Sequence, residues 1–340
     1  DHPEYHGQIH TSEGIHMADL RVRYMGLELD NPFIVSSSSL TDSVDKVKAC
    51  QAAGAGAVVL KSLFEEEIQA EIDGDSGGAE HTEAADYIRE IRTDAGLKRY
   101  TDLIRGAKES VKIPVIASIN AVSHNWWEEH VASLEAAGAD ALELNISLMP
   151  YDYRDDEAAI SEFYIKTVEA VRSRVSIPIS VKIGYYFSSI PAMVDRLRWA
   201  GAAAVVLFNR FYPLDIDIES MTLRSASPFS TTADLTFALR WITMIYGKTQ
   251  AELAASGGVH RGEDAVKALL AGAQTVQVCS ALYQNGIDHL EPLRAEVTQW
   301  METHSFATID QFRGKMSQKR SDRPETFERL QYIKALVGQS

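Results

Sequence analysis

The sequence predicts an α/β fold, and three observations lead to this class. Eight short runs of apolar, often β-branched residues recur along the chain, and amphipathic helical stretches separate them. Four of these runs follow an Ala-rich helix end and a glycine suited to a left-handed cap, at 52–62, 136–147, 199–210 and 270–281. Polar residues gather at the far ends of the runs. Eight β-then-α units with strands buried on both faces are the sequence form of a (β/α)8 TIM barrel.

The eight predicted strands succeed one another from residue 33 to residue 279. In chain order they are Phe33–Ser37, Ala57–Lys61, Val115–Asn120, Ala141–Asn145, Ile179–Ile183, Ala204–Asn209, Leu253–Ser256 and Val276–Cys279. Proline stops the preceding helix in KIPVIASIN (112–120) and SIPISVKIG (176–184). An open doubly wound sheet would have fewer strands and a glycine-rich phosphate turn after the first one, so the pattern favours the barrel.

Amphipathic periodicity predicts the helices between the strands. The clearest are Ser43–Ala53, Trp126–Ala137, Glu157–Arg174, Ala192–Ala200, Ala233–Tyr246 and Gly262–Ala271. Ahead of the barrel, LRVRYMGLEL (20–29) reads as a hairpin that turns at Met25-Gly26 and closes the N-terminal end.

Long loops follow strands two, four and six, at Leu63–Gly96, Leu148–Asp156 and Phe211–Thr232. In a barrel these loops lie at the C-terminal face, where active sites are built, so we expect them to cover a site instead of decorating the surface. The alternation in LDIDIESMTLR (214–224) predicts a short antiparallel ribbon over the mouth.

Composition excludes several classes of protein. The 340 residues carry 33 Lys and Arg against 48 Asp and Glu, a formal net charge of −15, which argues against nucleic-acid binding. No stretch approaches the ~20 apolar residues of a membrane span. Cys50 and Cys279 cannot build a disulfide scaffold, so we expect a cytoplasmic protein.

Three segments are expected. Residues 1–16 hold four of the ten histidines, have no apolar periodicity and read as an added or disordered extension before Met17. A metal site from His2, His6, His10 and His16 is the alternative, which their irregular spacing disfavours, and no other metal site is indicated. Residues 17–315 form the single barrel, and 316–340 a C-terminal helical tail.

Polar residues at the strand ends form the candidate site. Two lysines and three asparagines, namely Lys61, Lys182, Asn120, Asn145 and Asn209, converge on one mouth, which predicts a ligand. After strands seven and eight, Gly257-Gly258 and Cys279-Ser280 fit the phosphate site common to many barrels. Cys279 has no His near it in sequence and reads as a packed residue, not a nucleophile.

With these motifs in order, the chain resembles the dihydroorotate dehydrogenase family of FMN barrels. The matching pieces are LRVRYMGLELDNPFIVSSSSL, VVLKSL, ELNIS, VKIGYYF, VVLFNR, SGGV, VCSALYQNG and IDQFRGK, spread over residues 20–315. The resemblance implies an FMN cofactor bound by Ser36, Ser37, Lys61, Ser62, Asn120, Asn145, Lys182, Gly257, Gly258, Cys279 and Ser280. It also implies a substrate held by Lys61, Asn145 and Asn209, catalytic roles for Lys61, Asn145 and Lys182, and a homodimer.

Departures from the family concern the substrate half of the site. After ELNIS the family has a Cys or Ser base, whereas here Leu148 follows Ser147 and cannot accept a proton. The family's carboxylate-binding Asn-Ser-Met-Gly motif has no equivalent, Arg210 stands where it favours Ser or Thr, and SPFSTT (227–232) replaces a glycine-rich loop. Substitute bases could come from Tyr151, Asp152, Tyr153 or His81, although each is more simply a solvated loop residue.

The expected function is therefore FMN-dependent hydride transfer between a dihydropyrimidine such as dihydroorotate and flavin N5, in pyrimidine metabolism. Two alternatives stay open: a reductase resembling dihydropyrimidine dehydrogenase, and a barrel that binds FMN or a phosphorylated ligand without dehydrogenating dihydroorotate. The sequence has no four-cysteine iron–sulfur motif, so electrons would pass through the mouth or through a partner chain to an acceptor the sequence does not identify.

Overall fold

The computed structural model describes residues 18–64, 82–120, 124–146, 148, 150–210 and 214–328, with the backbone alone described for 82–94, 124–129 and 225. The expected extension at 1–16, the four histidines in it and His81 lie outside these residues. No helix in the described part of the chain is long and apolar enough to cross a membrane.

A hairpin closes the N-terminal end of the molecule, as predicted. Its strands are β1 (Val22–Tyr24) and β2 (Leu27–Leu29), and the turn lies at Met25-Gly26. The Met25 N–H donates to the carboxylate of Glu252, the first residue of a barrel strand, at 2.5 Å. Tyr24 is buried, so the hairpin contributes to the core.

Eleven further strands follow in the described residues. They are β3 (Phe33–Val35), β4 (Ala57–Val59), β5 (Leu63–Phe64), β6 (Val115–Asn120), β7 (Ala141–Asn145), β8 (Ile179–Ile183), β9 (Ala204–Leu207), β10 (Leu214–Asp217), β11 (Thr222–Ser225), β12 (Glu252–Ser256) and β13 (Thr275–Val278). Parallel pairing runs β3, β4, β6, β7, β8, β9, β12, β13 and back to β3, while β5 extends the line of β4 along β6. The predicted (β/α)8 TIM barrel is confirmed.

Helices cover the outside of the barrel. They are α1 (Val44–Ala52), α2 (Thr82–Ser110), α3 (His124–Ala136), α4 (Glu157–Arg174), α5 (Ile190–Ala200), α6 (Leu235–Ile245), α7 (Gly262–Ala271), α8 (Ser280–Asn285) and α9 (Leu290–Thr303). The glycines that close the four repeated helix ends have left-handed φ values between 89° and 123°, as their caps require.

Local sequence explains individual helices. In α5, Ile190, Met193, Val194 and Leu197 recur at helical spacing and are all buried against the barrel. The Ala192 N–H donates to the side chain of Ser189, which caps the first turn. The α4 helix begins in the same way, since the Asp156 carboxylate accepts from the Ala158 N–H at 3.0 Å.

Two expectations need correction. The loop after the second strand was predicted to extend to Gly96, but α2 already begins at Thr82. The prediction missed this start because the helical residues before Gly96 are polar and lack a clear apolar stripe. Several strands end one or two residues before the predicted polar positions; β9, for example, ends at Leu207. In the described part of the expected helical tail, 316–328, the backbone forms two short 3-10 helices, Gln318–Arg320 and Pro324–Phe327; residues 329–340 lie outside the described residues, and the helical tail stays a prediction.

The predicted ribbon forms from β10 and β11, with Ile216 opposite Leu223 and an ion pair between Asp215 and Arg224 on the other face. None of its described residues lines the cavity at the mouth. Segment 227–230, which follows the ribbon, reaches the cavity instead.

Candidate active site

A cavity of about 220 Å³ opens at the C-terminal face of the barrel, where β3, β8, β9, β12 and β13 end. Its described lining residues come from the strand ends and the loops that follow them: Ser36, Ser37, Lys182, Asn209, Arg210, Pro228, Ser230, Ser256, Gly257, Gly258, Val259, Gln277, Cys279 and Ser280. This is the face on which barrel enzymes place their active sites.

The charge of this lining is opposite to that of the whole protein. Two lining side chains, Lys182 and Arg210, are cationic, and none of the described lining residues is Asp or Glu, although the chain has a net charge of −15. Five serines add hydroxyl donors. A cavity with this lining is suited to a ligand that carries negative charge and several hydrogen-bond acceptors.

The turn after β12 brings backbone to the edge of the cavity. Gly257 and Gly258 both have left-handed φ values, +88° and +79°. A Cβ on Gly258 would lie 2.3 Å from the Leu235 backbone nitrogen, whereas one on Gly257 would project into open space. Only glycine therefore fits at Gly258, and the open space beside Gly257 leaves room for a ligand close to the backbone.

A serine that the sequence analysis did not single out lies next to this turn. Ser230 is buried, and its N–H donates to Ser280 Oγ at 3.0 Å. The Ser230 hydroxyl accepts from the Gly258 N–H at 3.3 Å and contacts His260 Nε2 at 3.1 Å. Burial lowers the pKa of His260, so its ring is neutral near pH 7.

Lys182 occupies the floor of the cavity. Its Nζ donates to Gln277 Oε1 at 2.9 Å and to Ser36 Oγ at 3.1 Å, and Ser36 in turn donates to the same Gln277 oxygen at 3.1 Å. Because β8 and β3 are opposite in the ring of strands, the Lys182–Ser36 hydrogen bond spans the lumen. This ammonium is held in place by side chains from two other strands.

Behind Lys182 lies a carboxylate that sequence reasoning missed. Glu143 is 1% exposed, accepts from Gln277 Nε2 at 2.5 Å and has one oxygen 4.0 Å from Lys182 Nζ. Burial raises the pKa of Glu143, while Lys182 and Gln277 oppose that rise. The signal was present in ALELN (141–145), where an acidic residue interrupts an apolar strand.

Two predicted asparagines meet at the mouth. Asn209 Nδ2 donates to Asn145 Oδ1 at 2.8 Å, and Asn209 lines the cavity. Asn145 pairs in register with Lys182, so the three side chains lie at the ends of adjacent strands β7, β8 and β9.

Other predicted residues lie near the mouth without lining the cavity. Ser62 contacts Ser37 Oγ at 3.0 Å and Ser118 Oγ at 2.8 Å. Lys61 follows β4, and Asn120 ends β6. The roles of all the predicted site residues stay predictions.

Arg210 stabilises the loop 227–230 at the edge of the cavity. Its guanidinium donates to the carbonyls of Pro228 at 2.6 Å and Ser227 at 3.2 Å. It therefore holds segment 227–230 beside the cavity and also contributes its charge to the lining.

The altered loop after β7 offers no base to the cavity in its described part. Leu148 packs against the core, and Tyr151 and Tyr153 are 88% and 96% exposed. Arg154 hydrogen-bonds to the Asp152 carboxylate and lowers its pKa, which weakens it as a base. Ser147 and His81 lie outside the described residues.

Cys279 lines the cavity, and burial raises the pKa of its thiol, which disfavours a thiolate nucleophile. Among the side chains that the structure describes, no group of three or more His, Cys, Asp and Glu is arranged to bind a metal ion.

Comparisons with known proteins agree with the geometry. A family model described as dihydroorotate dehydrogenase matches residues 19–301. The catalytic subunit of dihydroorotate dehydrogenase B (NAD(+)) from Thermoplasma volcanium is 26% identical, over 88% of this chain and 98% of its own length. The corresponding subunit from Methanosarcina acetivorans is 28% identical, over 85% of this chain and 93% of its own length. A chloroplastic dihydropyrimidine dehydrogenase (NADP(+)) from Arabidopsis thaliana is 27% identical, over 87% of this chain and 76% of its own length.

Proposed function

Since this chain belongs to the dihydroorotate dehydrogenase family and is an oxidoreductase of that type, we propose that it binds FMN in the mouth cavity and oxidises or reduces a dihydropyrimidine. The observation that carries the proposal is a cavity whose described lining residues include no Asp or Glu, with Lys182 at its floor and Gly257-Gly258 at its edge.

The described residues fit FMN in two respects. The open space at Gly257, the neighbouring Gly258 and the hydroxyls of Ser230 and Ser280 suit a phosphate group, which needs donors and close backbone approach. At the other side, Lys182 uses two of its three ammonium protons on Ser36 and Gln277 and can offer the third to a polar ring. FMN would thus lie with its phosphate toward β12 and β13 and its ring toward β8.

When bound, FMN would supply the hydride-accepting chemistry for a reduced pyrimidine ring. Lys182 would supply positive charge to a ring that gains negative charge, and its contacts to Ser36 and Gln277 hold the ammonium in place so that little reorganisation would be needed. The Asn145–Asn209 pair orients the substrate, because an asparagine whose carbonyl is occupied still has amide donors to offer.

The chain's own test is spectroscopic. The purified protein, supplied with FMN, should show bound flavin absorbance, and anaerobic dihydroorotate should bleach it. Lys182→Gln should slow the bleaching, whereas Lys267→Gln, which removes an equal charge from the exposed face of α7, should not. A protein that binds no FMN would refute the proposal.

Leu148 gives weight to a second function within this cofactor class. With leucine where the family has its base, dihydroorotate can bind near FMN without losing its proton, so the substrate could instead be another dihydropyrimidine. Bleaching by dihydrouracil but not by dihydroorotate would favour a dihydropyrimidine-type reaction, and bleaching by neither would favour a barrel that only binds FMN. We also propose that the protein is a cytoplasmic homodimer, and sedimentation equilibrium tests the dimer.

A further inference from the structure

Beneath the mouth, the lumen holds a buried carboxylate that the proposed reaction does not use. Glu143 Oε2 accepts from Gln277 Nε2, but Oε1 has no hydrogen-bond partner in the described part of the chain. Its nearest cation is Lys182 Nζ, 4.0 Å away. A buried carboxylate destabilises the fold unless a nearby charge compensates it, so these two residues are coupled.

The neighbours of Glu143 favour its ionised form. Gln277 Nε2 donates a hydrogen bond to the carboxyl group, and the positively charged Lys182 Nζ lies 4.0 Å from it. Among the described residues Oε1 has no hydrogen-bond partner, so the nearby charge of Lys182 is what compensates a negative charge there. These two contacts favour the carboxylate form near the ammonium and oppose the burial that raises the pKa of Glu143.

Gln277 joins the anion and the cation across the barrel. Its Nε2 faces Glu143, and its Oε1 accepts from both Lys182 and Ser36. Strands β13 and β7 are opposite in the ring, so the amide bridges the lumen with a fixed orientation. Rotating the amide by 180° would place its NH2 group against the Lys182 ammonium and its oxygen against the Glu143 carboxyl group. Both contacts would then be unfavourable, so the amide keeps its present orientation.

We propose that Glu143 is a positioning residue that sets the positive potential which Lys182 presents to the mouth, and thereby the reduction potential of bound FMN. The inference rests on the proposed function. An anion 4.0 Å from the ammonium cancels part of its field, and the effect is stronger for these two buried side chains than it would be in water. Since reduced flavin gains negative charge, Glu143 lowers its stability relative to the oxidised form and makes the potential more negative.

The main test is Glu143→Gln, which removes the charge and keeps the shape of the side chain. We expect the bound FMN to favour its reduced form at least tenfold more than in the unmodified protein. This corresponds to a positive shift of at least about 30 mV in the midpoint potential of the two-electron couple, measured by anaerobic dye titration. Direct measurement of oxidised FMN affinity provides a second readout that needs no turnover.

Ser180→Ala is the matched control. Ser180 is fully buried and lies opposite Glu143 in the register of β8 and β7, but it carries no charge. This variant should leave the potential unchanged if charge is responsible, and an equal shift in both variants would show that altered packing is the cause and overturn the inference.

A charge-relocation variant addresses the case in which the single variant does not fold. Glu143→Gln combined with Gln277→Glu transfers the carboxylate to β13, where the present Gln277 oxygen is 2.9 Å from Lys182 Nζ. The potential should then be equal to or more negative than that of the unmodified protein. A more positive potential would contradict the proposal, as would an unchanged potential in Glu143→Gln.

Failure of the proposed function would look different. If neither the unmodified protein nor the variants bind FMN, the cofactor assignment falls and this inference falls with it. If FMN binds normally and the potential does not respond to Glu143→Gln, the cofactor assignment stands and only the role of Glu143 is refuted.

Discussion

Replacing Gly258 by alanine tests the account of the turn beside the cavity. The residue has φ +79°, a conformation that L side chains rarely adopt, and its new Cβ would lie 2.3 Å from the Leu235 nitrogen. Leu235 begins α6 and is buried, so it cannot retreat without moving the helix. Gly257→Ala is the natural comparison, because φ there is +88° but no atom lies within 4 Å of the new Cβ.

The magnitude follows from these two contacts. Left-handed backbone costs an L residue about 1–2 kcal/mol, and this cost applies to both variants. Overpacking against the α6 backbone adds about 1–3 kcal/mol in Gly258→Ala alone. We therefore expect Gly258→Ala to lose about 2–5 kcal/mol of unfolding free energy and Gly257→Ala about 1–2 kcal/mol.

Urea unfolding of the FMN-free protein, followed by the fluorescence of its five tryptophans, measures this difference. FMN titration provides a second comparison of the two variants. The methyl group of Gly257→Ala enters open space that the ligand would use, so this variant should bind FMN more weakly although it loses less stability. Equal losses of stability in the two variants would refute the argument from crowding at Leu235.

Three further predictions concern charge and hydrogen bonding. Lys182→Gln should lower the unfolding free energy by about 3–5 kcal/mol, because it leaves Glu143 buried without its cation, and adding Glu143→Gln should recover part of that loss in urea titrations. Ser230→Ala should weaken FMN binding several-fold by fluorescence titration, since it removes a hydroxyl that orders the Gly258 N–H; unaltered affinity would place the phosphate elsewhere. The pKa of His260 in the folded protein is below its unfolded value of 6.5, so the unfolded state takes up the proton first as the pH falls. The unfolding free energy should therefore decrease as the pH drops below 6.5. In a plot of the urea midpoint against pH, His260→Gln should make this decrease smaller.

Much of the barrel could be predicted because its strands have clear local boundaries. The predicted bounds of β6, β7 and β8 agree with the structure at both ends, where prolines or glycine caps precede apolar runs. The α2 helix was cut short in the prediction because its first turns have little apolar periodicity, so only their attachment to the later, buried part of the helix favours the helical state.

The candidate site was less predictable. Lys182 stood out as a cation in an apolar strand, and the same reasoning should have singled out Glu143 and Gln277, whose side chains also point into the lumen. Ser230 and Arg210 could not be placed, because the conformation of segment 227–230 depends on carbonyl contacts made only in the folded chain.

By itself, the sequence determined the order of strands and helices, the face on which polar strand ends collect, and the family to which the chain belongs. Strand alternation tells which side chains point inward, but it carries no information about what they meet across the lumen. Closure of the barrel determines which side chains meet across the lumen. It brings Lys182 to Ser36 and Glu143 to Gln277, although these partners are 146 and 134 residues apart in the sequence. The physical reason is that opposite strands of a closed ring share no backbone hydrogen bonds, so their side chains meet only when the whole ring has formed.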